Sequence, residues 1–156
     1  MNKIDEFYAS FLSSNAQDAN EATRQIKDAY EDPGAIEQVI QVLKESSNES
    51  HRRQAASGLK ILLSKFWNDV YIDRLRDFIK DTLVEVLLKE KSERVSVLIM
   101  DAIRPVFRTE YTNWTSLINF IIEESHKTDS HSQILVIDFF KSALDILPFT
   151  ILQSVV

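Results

Sequence analysis

Apolar side chains recur at helical spacing in one segment after another of this chain, and the segments pair off at a nearly constant interval. Counted from Pro33, Ile72, Asn113 and Pro148, the first helices of successive pairs are spaced by about 40 residues, shortening at the end. That period confines the chain to a stack of helical hairpins. Each hairpin has an apolar face that it cannot bury alone, so a neighbour must cover it. The interval is that of HEAT-type pairs rather than the roughly 34 residues of tetratricopeptide repeats, whose Gly and Tyr pattern is absent.

The pairs are read from their apolar stripes. Ile4, Phe7, Tyr8, Phe11 and Leu12 follow the i, i+3, i+4 rule and predict a first helix over residues 3–13. Ala19, Ala22, Ile26, Ala29 and Tyr30 mark a second helix with a small-residue face. Asp32-Pro33 reads as a cap followed by proline at the first helical position, with Ile36, Val39, Ile40 and Leu43 inward until Ser46-Ser47-Asn48. A fourth helix begins after Ser50 and ends near Trp67-Asn68, with Ala55, Ala56, Leu59, Leu62, Leu63 and Phe66 as its core stripe.

The fifth helix is expected over residues 72–89, with Leu75, Phe78, Ile79, Leu83, Val86 and Leu87 inward. The sixth follows Ser92 and is expected to be kinked or shortened by Pro105. Trp114, Leu117, Ile118, Ile121 and Ile122 make the seventh. Residues 134–147 make an eighth with almost no polar side, and Pro148 opens a ninth. Residues 1–156 thus read as one all-α segment: an α-α superhelix, or solenoid, of antiparallel HEAT pairs, about four in number. The apolar eighth helix and the uncapped end suggest an N-terminal piece of a longer solenoid.

Composition agrees and excludes several functions. Two Gly and three Pro are too few for the turns of a sheet protein of this length. Without cysteine there is no disulfide, thiolate metal site or cysteine nucleophile. The N-terminus is polar and acidic, unlike a signal or transit sequence, and the apolar run from Ile134 is too short to span a bilayer. Net charge is −6, with ten acidic against four basic residues over 1–50 and seven against ten over 51–100. Such an acidic start does not suit phosphate-backbone binding; it reads as a solvated helix face or as a surface for a basic protein partner.

Chemistry is sparse. Two glycines cannot build a phosphate-cradling loop. His126 and His131, with Asp129 between them, read as a polar inter-helix loop rather than as metal ligands, so neither metal nor cofactor is expected. Glu123 and Glu124 are adjacent on a helix and point apart, which makes them poor acid–base partners. Phe66, Trp67 and Trp114 read as core plugs between repeats. An enzyme is not expected.

The order of these phrases resembles the N-terminal HEAT repeats of the importin-β (karyopherin-β) family. The resemblance is carried by Asn20-Glu21-Ala22-Thr23-Arg24-Gln25-Ile26, by Pro33-Gly34 and the aliphatic helix after it, and by Arg53-Gln54-Ala55-Ala56 through Leu59-Lys60 to Lys65-Phe66-Trp67. It continues with the helix from Val95 to Arg108 and then Trp114, Leu117 and Ile118. Two positions depart from the pattern: Ile61 stands where many members carry Asn, and no proline precedes Trp114.

The resemblance implies a nuclear transport receptor in cytoplasm, nucleus and pore, without direct nucleic-acid binding or membrane insertion. The second helices of its first repeats would hold the GTP form of the small GTPase Ran. Basic protein cargo and nucleoporins would engage other regions, and cargo would be exchanged through differential affinity between two curvatures. The implied GTPase-facing positions are Ser57, Lys60, Ile61, Ser64 and Asn68, opposite the core stripe, together with Glu21, Gln25 and Asp28. The competing readings are a HEAT scaffold unrelated to transport and an enzyme whose catalytic part lies elsewhere.

Overall fold

A computed structural model describes residues 2–143, and among these there are eight α-helices, two 3-10 turns and no strand. The helices are α1 (Lys3–Phe11), α2 (Ala16–Ala29), α3 (Ala35–Glu45), α4 (Glu49–Phe66), α5 (Arg76–Lys89), α6 (Glu93–Glu110), α7 (Thr115–Ser125) and α8 (Ser130–Ala143). The expected end of the eighth helix at Leu147 and the ninth helix opened by Pro148 lie outside the described residues. Asparagines start three of the helices: the Oδ1 atoms of Asn2, Asn15 and Asn48 accept backbone N–H groups of α1, α2 and α4. Ser92 caps α6 in the same way.

Short links turn each helix back on the one before it. α1 packs on α2, α3 on α4 and α7 on α8, while α4, α6 and α8 pack in succession as the second members of their pairs. α1, α3, α5 and α7 form the other layer. One continuous apolar core runs between the layers, from Ile4 and Tyr8 to Phe139 and Ala143. This is the all-α helical repeat solenoid that the periodicity predicts.

Polar groups tie neighbouring pairs together. Arg52 of α4 donates from Nε and Nη2 to both carboxylate oxygens of Glu90, at 2.9 and 3.2 Å, and from Nη1 to the Ser46 carbonyl at 3.0 Å. It thereby joins the α3–α4 link to the α5–α6 link. Glu110 forms a second node, accepting from Trp67 Nε1 and from Lys80 Nζ, each at 3.2 Å. Trp67 and Trp114 are buried, the core plugs expected of them.

Local details differ from the sequence-based expectations. α3 begins at Ala35, not at Pro33: Asp32 Oδ1 accepts the Gly34 N–H at 2.8 Å, closing a turn before the helix. α5 begins at Arg76 after a 3-10 turn at Val70–Ile72. Ile79, Leu83, Val86 and Leu87 are buried as expected, but Phe78, expected inward, is exposed, and Lys80 on the edge of that stripe is buried. Burial of Lys80 is tolerated because its ammonium reaches Glu110 and the Asn113 carbonyl.

Pro105 does not shorten α6, which runs on to Glu110. Ile103, Val106 and Phe107 are buried around it, at ~1.5–3 kcal/mol each, against ~3 kcal/mol for an interior proline. Leu12, the residue that ends α1, is exposed rather than inward. α8 is not covered all round: Leu135 and Phe139 are buried, whereas Ile134 and Ile137 are exposed.

Candidate functional site

α4 presents the clearest division into faces. Ala55, Ala56, Leu59, Leu62, Leu63 and Phe66 are all buried, as the stripe requires. Gly58 is buried too, because Tyr30 lies against it: a Cβ on Gly58 would come within 1.9 Å of the Tyr30 hydroxyl. That hydroxyl meets the Tyr8 hydroxyl at 2.6 Å in the core. Burial raises the pKa of both phenols, that of Tyr8 far above its ordinary value, so the pair stays neutral.

The opposite side of α4 is open. Ser57, Lys60, Ile61 and Ser64 are exposed on the helix, and Asn68 is exposed in the turn after it. Ile61 is the conspicuous one, an aliphatic side chain 56 % exposed between polar neighbours. Lys60 has no carboxylate within ion-pair distance among the described residues.

The three α2 positions do not join this surface. Glu21 and Asp28 both hold Arg24, at 2.6 and 3.2 Å, in an exposed cluster on α2 itself. The Arg24 hydrogen bond holds the Glu21 carboxyl below its ordinary value. Gln25 and Asp28 line a groove walled by Lys3 and Phe7 of α1 and by Ala35 and Gln38 of α3, with no α4 residue in it. α2 meets α4 at its end, through Tyr30 on Gly58 and through Glu31, which accepts from Lys65 at 2.5 Å. The eight candidate positions therefore lie in two separate groups, one on α4 and the turn after it and one on α2. Outward-facing periodicity placed them, but which flank of α2 adjoins α4 is set by the Tyr30–Gly58 contact.

Sequence reasoning also missed part of the open face. Arg53 of α4, Arg94, Val97 and Leu98 of α6 and Ile134 of α8 line a groove of about 390 Å³. Val97 lies off the core stripe of α6, and an apolar residue so placed beside Arg94 was the available signal. The polar segment before α8 holds no comparable group. His131 Nε2 is 2.9 Å from the hydroxyl of the buried Ser96, and Glu124 accepts from Lys127 at 2.6 Å and from Ser132.

A continuous apolar core, a layered helical stack and an open polar face with aliphatic points define a helical-repeat module. Residues 22–89, from within α2 to the last residue of α5, match the family model of the importin-beta N-terminal domain. The match supports the resemblance of the sequence to the importin-β family. No curated protein and no solved structure matches the chain. Among the described residues, no helix is long and apolar enough to cross a membrane.

Proposed function

We propose that this chain works in nuclear transport by binding Ran in its GTP form through the outer face of α4, at Ser57, Lys60, Ile61, Ser64 and Asn68. The observation that carries the reading is the match over residues 22–89, which frames α4 within the importin-beta N-terminal domain. Glu21, Gln25 and Asp28 form a second, separate contact on α2. The receptor takes basic protein cargo, for which its acidic first third is suited. It meets nucleoporins on the way through the pore and moves between cytoplasm and nucleus. The chain is one segment of a longer superhelix whose curvature changes on GTPase binding, because small rotations per repeat add along the stack.

A pull-down with Ran loaded with a non-hydrolysable GTP analogue or with GDP tests the reading. The GTP form is retained, and the double variant Ile61→Asp/Ser64→Arg weakens retention by about tenfold or more, as expected for an interface centre. Equal retention of both nucleotide forms would leave a scaffold unrelated to transport as the better account.

A further inference from the structure

The groove between α4, α6 and α8 has a composition that selects its occupant. Its floor is apolar: Val97 and Leu98 are half-buried and Ile134 is 39 % exposed, with Ile137 open one turn further along α8. Its rim is basic. Arg53 and Arg94 are exposed, and among the described residues neither has a carboxylate within ion-pair distance. The one acidic lining residue, Glu93, already accepts a hydrogen bond from Ser130 Oγ at 3.1 Å. Lys60 continues the positive rim along α4.

This basic wall stands on a chain of net charge −6. An acidic ligand is thus repelled by the molecule as a whole and attracted here, which makes the site selective as well as attractive. We infer that this groove docks an acidic peptide segment carrying one bulky apolar side chain: carboxylates pair with Arg53 and Arg94, and the apolar side chain covers Val97, Leu98 and Ile134. A nucleic acid fits less well. No aromatic side chain lines the groove to stack a base, and its apolar floor offers nothing to a sugar-phosphate backbone. A basic segment is repelled at the rim, so the occupant is not the basic cargo proposed above. The inference goes beyond the GTPase reading, since it stands on α6 and α8 as much as on α4 and holds whichever protein supplies the segment.

The test is fluorescence anisotropy with the full 156-residue chain. The probe is a labelled peptide of about twelve residues, Asp/Glu-rich around a central Leu-Phe pair. It should bind at least about tenfold more tightly than the same peptide with Asn/Gln in place of Asp/Glu, and the difference should shrink as salt rises. Arg53→Glu/Arg94→Glu should abolish binding, and the milder Arg94→Gln and Val97→Ser should each weaken it severalfold with unchanged helical circular dichroism. Equal binding of the neutral peptide, undiminished binding by the Arg94→Gln chain, or tighter binding of a single-stranded oligonucleotide would overturn the inference. The nucleotide-dependent pull-down is read separately, so either proposal can fail while the other stands.

Discussion

Gly58 shows how one residue decides the approach of two helices. Alanine is preferred over glycine inside a helix by ~1 kcal/mol, so propensity alone predicts that Gly58→Ala stabilises. The new Cβ, however, would lie 1.9 Å from Tyr30 Oη and 2.6 Å from Tyr30 Cζ, in a buried site. Overpacking of this kind costs ~1–3 kcal/mol. Gly58→Ala should therefore lower the urea midpoint, and a raised midpoint would mean that Tyr30 has room to move. The Tyr8–Tyr30 pair makes a pH prediction as well. Burial raises both phenols, so above pH ~10 the unfolded chain loses protons that the folded chain keeps. Fewer protons bound to the unfolded state means that stability falls as pH rises, by ~1.4 kcal/mol per pH unit for Tyr8 alone. Urea titrations at alkaline pH should show this slope in the native chain and a shallower one in Tyr8→Phe.

Between elements, the contacts that matter are those joining one hairpin to the next. Arg52 of α4 does this by binding the link after α3 and, in the link after α5, the carboxylate of Glu90, whose side chain is only 4 % exposed. Removing Arg52 leaves that carboxylate buried with the Ser92 N–H at 2.9 Å as its remaining donor. Arg52→Met should thus cost more than an exposed ion pair is worth, on the order of 2–3 kcal/mol. The double variant Arg52→Met/Glu90→Met should lose less than the sum of the single variants, and additive losses in a double-mutant cycle would show that the two side chains are not coupled. The Glu110 node, holding Trp67 and Lys80, plays the same part between α4 and α5.

At the scale of the whole molecule, a stack held by neighbour contacts responds to damage locally. Leu62 is fully buried in α4, and Leu62→Ala should cost ~2–5 kcal/mol through lost burial and a cavity. Native-state hydrogen exchange should then rise most in α3, α4 and α6, which pack around that position, and less in α7 and α8. A uniform rise across all eight helices would indicate a closed, single-unit core instead of a stack.

Periodicity by itself determined the helix type, the pairing and nearly every core residue of α4, because an amphipathic stripe depends only on spacing along one helix. The order of short phrases also carried the resemblance to the importin-β family that the match over residues 22–89 supports, since they keep their spacing whatever their exact neighbours. Only the tertiary structure decided how helices rotate against each other. It moved Phe78 to the surface and Lys80 to the interior, kept α6 intact through Pro105, and separated Gln25 and Asp28 from the α4 face. It also brought Arg53, Arg94, Val97 and Ile134 together into one groove from three helices. Those outcomes depend on which flank of a helix its neighbour occupies, and that is fixed by contacts between residues distant in sequence, such as Tyr30 against Gly58.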